Sequence, residues 1–226
     1  MIGTYAIVAV VAYLLGSIPF GYILVRIFLK EDIRRTGSGN IGATNVGRTG
    51  HKGLAVATLV LDAGKGFAAV LLAGAIIWPG AVRYISTSAA ERDLTMVMLA
   101  GLLAVLGHMF PIWLRFKGGK GVATALGAFG FFAPVAMLVS FAVFAIVVAA
   151  TRFISLGSIL AAVAFPFATF FVDSVTPSRG PVAVITLTSL LIIAKHRANI
   201  RRLLAGTEPK LGAKPALPPQ EVEKQA

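Results

Sequence analysis

The 226-residue chain has no cysteine, only nine acidic residues and only 13% charged residues in all. Without cysteine there can be no disulfide framework, no thiolate nucleophile and no Cys-containing zinc site. Few carboxylates near the polar segments argue against a multi-carboxylate Mg²⁺ site, and no metal is expected. A charged fraction near half the ~25% usual in soluble domains argues against a water-soluble globule. Also absent are the alternating short segments of an outer-membrane barrel.

What fills the chain instead is hydrocarbon. Mean hydropathy is +0.85 with 57% hydrophobic residues, and apolar runs lie at about 4–29, 54–78, 94–114, 122–150, 153–173 and 181–194. Several reach the ~18–20 residues that cross a bilayer core of roughly 30 Å. The chain therefore reads as an all-α polytopic integral membrane protein. The first run lacks a basic leader and a small-residue cleavage site and reads as a retained helix.

The 21 Lys and Arg give a net charge of +12. In this setting the excess marks positive-inside loops beside anionic headgroups, not nucleic-acid binding. The loop at 30–53 carries Lys30, Arg34, Arg35, Arg48 and Lys52, which predicts a cytoplasmic loop and an N-terminus outside. The stretch 79–93 balances Arg83 and Arg92 against Glu91 and Asp93 and reads as an outer loop. Placing "KHRANIRR" at 195–202 in the cytoplasm requires an odd number of crossings. Splitting the 29-residue run 122–150 at Pro134 gives about seven, some short or broken. Residues 1–206 read as one transmembrane domain, and the Pro-rich, charged 207–226 as a flexible cytoplasmic tail.

This topology gathers three polar segments on one face. "GSGNIGATNVGRTG", 37–50, offers Gly37 and Gly39 for turns, Ser38, Asn40 and Asn45 as hydrogen-bonding groups, and Arg48 to fork onto phosphate oxygens. "KGGKG", 117–121, lacks the Walker pattern, since Lys120 precedes Gly121 rather than Ser or Thr. Lys117, Gly118, Gly119, Lys120 and Gly121 still suit a single phosphate at a helix start near Val122. "KHRANIRRLLAGTE", 195–208, sets His196 and Asn199 on one helical face, with Arg197, Arg201 and Arg202 placed to snorkel to headgroups. A fourth feature is the i,i+3 pair Asp62 and Lys65 inside an apolar run, either a packing pair or a substrate contact. No histidine has an aspartate five residues on: His51, His108 and His196 reach Val56, Trp113 and Arg201. A site rich in cations and poor in acids suits phosphate-bearing ligands whose chemistry needs charge stabilisation more than a strong base.

The segments "GSGNIGATNVGR", "GHMFPIWLRFKGGKG" and "KHRANIRRLLAGTE" resemble the three signature motifs of the bacterial acyl-phosphate:glycerol-3-phosphate acyltransferases. That resemblance covers nearly the whole chain and implies a seven-helix enzyme of the bacterial inner membrane, its active site facing the cytoplasm. The implied reaction moves a fatty acyl group from acyl phosphate to the sn-1 hydroxyl of glycerol 3-phosphate, giving lysophosphatidic acid for phospholipid synthesis, with no cofactor. By motif position Ser38, Arg48, His196 and Asn199 are implied as catalytic. The Gly-rich turn with Lys117 and Lys120 is implied to bind glycerol 3-phosphate, and Glu208 to be structural. Implied partners are the two substrates, membrane lipid and the enzyme that makes acyl phosphate. The alternative is a transporter of a phosphorylated solute, compatible with an intramembrane ion pair and broken helices.

Overall fold

The computed structural model describes residues 2–77, 88–172 and 179–212. Among these every regular element is helical. The order is α1 (Ile2–Ser17), α2 (Phe20–Phe28), α3 (Ala43–Gly47), α4 (Lys52–Ile77), α5 (Ser88–Met109), α6 (Val122–Phe129), α7 (Pro134–Thr151), α8 (Ile154–Val172), α9 (Arg179–Lys195) and α10 (Arg197–Leu204), with 3₁₀ turns at Ile33–Arg35 and Ile112–Leu114.

Proline sets two of the breaks. Pro19 follows the end of α1, where its missing N–H interrupts the first apolar run. Pro134 opens α7, where that missing donor costs nothing, so the run 122–150 is two helices, as its length and proline suggest. α6, with eight residues, is only about 12 Å long at 1.5 Å per residue, too short to cross a bilayer. Among the described residues five stretches are long and apolar enough to span: Ile2–Phe28, Lys52–Ile77, Asp93–Leu114, Pro134–Thr151 and Ile154–Val172. α9 and α10, bent by 55° at His196, make a sixth if taken together. Length alone thus supports five or six spans rather than seven. The outer loop read at 79–93 is in part helix, since 88–93 belong to α5; residues 78–87 lie outside those described.

α5 is the centre. Two thirds of its apolar window (67%) is buried, against 11% for α7, and it packs against α1, α4, α6 and α9 while α7 leans on α8. Small residues set how closely these helices approach. A Cβ on Gly16 of α1 would strike the Ala104 carbonyl of α5, and one on Gly127 of α6 would strike the Ala63 carbonyl of α4. Lipid offers no hydrophobic drive between helices, so such close backbone contact carries the packing. Leu138, Phe141, Ile146, Phe167, Phe170 and Phe171 stay exposed on α7 and α8, an exterior suited to hydrocarbon rather than water.

Beyond α10 the chain is docked, not loose. The Leu211 N–H donates to the Arg152 carbonyl (2.7 Å), and Arg152 Nη2 donates to the Leu211 carbonyl (2.8 Å). The expected flexible tail of 207–226 therefore starts with a fixed stretch at 207–212; residues 213–226 lie outside those described.

Candidate functional site

The first segment is built around Asn45. Its Oδ1 accepts from the Ser38 N–H (2.8 Å), and its Nδ2 lies within bonding distance of the carbonyls of Ile33, Thr36 and Asn40 (3.1, 3.0 and 2.8 Å). One amide thus closes the loop onto the start of α3. Gly37 and Gly39 adopt left-handed φ of 58° and 69°, and a Cβ on Gly37 would collide with Asn45 Oδ1. Asn40 Oδ1 accepts from the Gly42 N–H (2.8 Å). Buried and fully engaged, Asn45 has no group left for a ligand, so its part here is to shape the loop. Ser38 is exposed, and Arg48 caps α3, half-buried.

The second segment folds back onto the end of α5. The Gly119 N–H donates to the His108 carbonyl (3.0 Å) and the Gly118 N–H to the Met109 carbonyl (3.3 Å). The two glycines therefore cap a helix C-terminus, and their amides are not free for the phosphate that the sequence reading gave them. They must be glycine because a Cβ on Gly118 would hit the His108 carbonyl and Pro111, and one on Gly119 the His108 ring. Gly121, at φ 84°, then starts α6, whose first-turn amides have no intrahelical acceptor.

The third segment turns at His196, which is buried and caps α10. Its Nδ1 lies 2.8 Å from the Ile192 carbonyl. A carbonyl only accepts, so Nδ1 carries the proton and Nε2 is the free acceptor of the neutral ring. Glu208 ties this segment together: its Oε1 accepts from Ser155 Oγ (2.7 Å) and Asn199 Nδ2 (2.6 Å), and its Oε2 from Arg202 Nε (2.7 Å). Burial would raise the Glu208 carboxyl, but these three hydrogen bonds outweigh it and hold it below the usual carboxylate range. Arg202, expected to snorkel outward, instead faces this carboxylate. Lys195 donates to the Met109 carbonyl (3.0 Å), joining the third segment to the second.

Charge draws the three segments together. Burial pushes the Lys120 ammonium down, the Glu208 carboxylate opposes, and the Arg202 and Arg48 guanidiniums add to the fall, leaving it at about 8. Burial likewise lowers the Arg48 guanidinium, again in the field of Glu208 and Arg202. Beyond the end of α9, burial and then the Lys120 ammonium push the His196 imidazole down to about 4. The depressing charge is thus a lysine of the second segment rather than the adjacent Lys195 or Arg197. Arg48, Lys120, Arg202 and His196 thus share one field, with Glu208 the acid that acts in it.

The remaining ions are elsewhere. Lys65 Nζ lies 2.8 Å from Asp62 Oδ1, donates to the Ile18 carbonyl at the α1–α2 break (2.7 Å) and lies 3.0 Å from His108 Nδ1. Asp62 Oδ1 is poorly aligned for a hydrogen bond, so its contact with Lys65 is ionic. All three side chains are at most 4% exposed, the burial of a trio packed between helices rather than of groups at an open site. Ser155, His108 and Lys195 were missed as partners: a serine on an apolar helix and two ions among many carry no periodic signal. Lys117 is apart from Lys120, exposed beside Arg115 and Trp113. Among the described residues no group of His, Cys, Asp and Glu could hold a metal.

The sequence model described as glycerol-3-phosphate acyltransferase matches residues 6–206. A glycerol-3-phosphate acyltransferase of Mesorhizobium japonicum is 50% identical over 93% of this chain and 99% of its own length. One from Agrobacterium fabrum is 47% identical over 92% and 93%. Among solved structures, the glycerol 3-phosphate form of PlsY (YgiH), an integral membrane glycerol 3-phosphate acyltransferase, superposes with a TM-score of 0.80 at 37% identity, covering 93% of this chain and 96% of that one. Its lysophosphatidic acid form gives 0.77.

Proposed function

The chain belongs to the glycerol-3-phosphate acyltransferase family, and we propose that it moves an acyl group from acyl phosphate to the sn-1 hydroxyl of glycerol 3-phosphate. The observation that carries this reading is Lys120, an ammonium held in one field with Arg48 and Arg202 and opposed by a single acid. Two phosphate-bearing substrates repel each other, and a cation-rich pocket aligns them. Acyl phosphate is a mixed anhydride and already activated. The glycerol hydroxyl oxygen forms the ester bond to the acyl carbon, and the bond from that carbon to the phosphate oxygen breaks. Phosphate leaves with the electron pair, its charge met by Arg48 and Lys120. First-turn amides of α6 add donors on the same side.

His196, neutral at pH 7 with Nε2 free to accept, is placed to orient the hydroxyl. A conjugate acid of about 4 makes it a weak base, so we assign the proton to a phosphate oxygen. Asn199 spends an N–H on Glu208 and acts by fixing α10. Ser38, exposed on the loop that Asn45 holds, supplies a hydroxyl to a substrate. We place this face in the cytoplasm of a bacterial inner membrane, because Lys30, Arg34, Arg35, Arg48 and Lys52 crowd the adjoining loop. The acyl chain lies among the helices.

The test is acyl transfer by purified protein to glycerol 3-phosphate from palmitoyl phosphate, palmitoyl-CoA or palmitoyl-acyl carrier protein. Product from palmitoyl phosphate alone is expected. Turnover with either thioester at a comparable rate refutes the donor assignment.

A further inference from the structure

The two lysines of "KGGKG" serve different places. Lys120 faces the cluster described above, whereas Lys117 lines an open cavity of about 810 Å³ at the α1–α2 break. Its apolar wall is Ile18 and Ile23, Tyr22 and Trp113 supply aromatic surface, and Arg34, Arg115 and Lys117 are its cations. Arg34 is neutralised by Asp32 at 2.6 Å and lies over the Tyr22 ring at 4.9 Å. Arg115 and Lys117 have no carboxylate within ion-pair distance among the described residues.

The backbone is bent to hold these two cations there. Arg115 and Phe116 are consecutive non-glycine residues at φ 51° and 62°, a left-handed conformation that L side chains disfavour. It is held by the Phe116 N–H on the Pro111 carbonyl (3.0 Å) and the Lys117 N–H on the Leu114 carbonyl (3.1 Å). In the same turn Ile112, Trp113 and Phe116 are exposed, Trp113 by 61%. Aromatic and aliphatic side chains beside unpaired cations are the composition of a membrane–water interface. A dissolved anion would use the cations but not the Ile18–Ile23 wall, and a neutral lipid the wall but not the cations. An amphiphile with a phosphate head uses both.

We propose that this cavity binds the phosphate headgroup of an anionic membrane lipid, held by Arg115 and Lys117 with an acyl chain against Ile18 and Ile23, at a site separate from the Arg48–Lys120–Arg202 cluster. The inference rests on the membrane setting and not on the acyl donor, so it stands or falls independently of the transfer assay.

Trp113 is a built-in reporter, since the chain's only other tryptophan is Trp78. Trp78→Phe protein in phosphatidylcholine nanodiscs is titrated with phosphatidylglycerol or phosphatidylcholine, each brominated on its acyl chains near the headgroup. Half-maximal quenching of Trp113 is expected at a several-fold lower mole fraction of the brominated phosphatidylglycerol. Lys117→Gln with Arg115→Gly, a glycine that accepts the left-handed φ, is expected to remove that difference. Equal quenching by the two lipids in the parent protein overturns the proposal without reference to any variant. A preference that survives both substitutions overturns the assignment to Arg115 and Lys117. Inorganic phosphate at millimolar concentration is expected to leave the quenching unchanged; reversal by phosphate overturns a lipid occupant in favour of the free anion.

Discussion

Two ionic clusters lie within a few turns of each other and differ in how their charges are answered. Asp62, Lys65 and His108 are sealed between α4, α5 and the α1–α2 break: the lysine meets a carboxylate, a carbonyl and an imidazole, and no face of the trio is open. Around Lys120 the count is reversed. Arg48, Lys120 and Arg202 share one acid, Glu208, whose oxygens are already engaged by Ser155, Asn199 and Arg202. A buried charge with its partners in place holds helices in register, whereas cations left in excess at a half-buried mouth are free to take an anion. Charge in a hydrophobic chain is therefore not by itself a sign of a ligand site; the balance of charge is.

Breaking the sealed trio is expected to have the largest effect. Asp62→Leu leaves Lys65 buried without its carboxylate and should cost about 3–5 kcal/mol of stability, read as a large fall in Tm in detergent. Asp62→Leu with Lys65→Met removes both charges and should recover most of that loss. A double variant as unstable as the single one would mean that the trio does more than balance charge.

The open cluster should respond in the opposite manner. Lys120→Met is expected to leave Tm nearly unchanged or raised, because it removes a half-buried cation repelled by Arg48 and Arg202. Its kcat/KM for glycerol 3-phosphate should fall about 10²–10³-fold, the usual loss for a preorganised donor at developing charge. A fall in Tm with retained kcat/KM would move Lys120 into the structural class.

The smallest effect sharpens the same contrast through pH. The Lys120 ammonium titrates at about 8 in the folded protein against an ordinary lysine value near 10.4. As pH rises through about 8 the folded protein loses this cation, so kcat/KM for glycerol 3-phosphate should decline several-fold between pH 7.5 and 9. Lys120→Arg should flatten that decline. Stability moves the other way. Between about 8 and 10.4 the unfolded chain binds more protons at this position, so this group's contribution to stability rises with pH.

Much of the helical plan was legible because lipid demands long apolar runs, and the break at Pro134 was read from length and proline; the break at Pro19, inside the run 4–29, was not. The expectation of seven crossings met a limit in α6: the run divides at Pro134 as expected, but the eight residues before it are too few to cross a bilayer. The site was legible as three segments but not as individual roles. Asn45 looks like a ligand group in "GSGNIGATN" yet is spent on its own loop, since a buried amide takes whatever backbone partners surround it. Gly118 and Gly119 look like a phosphate cradle and prove to be a cap on α5. Ser155 is invisible in "FISLGSIL" because only its meeting with Glu208, 53 residues on, gives it a part.

By itself the sequence determined that this chain lives in a membrane, that its longest apolar run divides at Pro134 and which three segments gather polar and cationic residues; those follow from hydrocarbon length, proline and local composition. Only the tertiary structure decided which cations face which pocket. Lys117 and Lys120 are three residues apart and equal in composition, yet one lies at an interfacial cavity with Arg115 and the other among Arg48, Arg202 and His196. The physical reason lies between them. Gly118 and Gly119 pack closely against the end of α5, and the turn there separates a residue that lines the cavity at Trp113 from one in the field of Glu208.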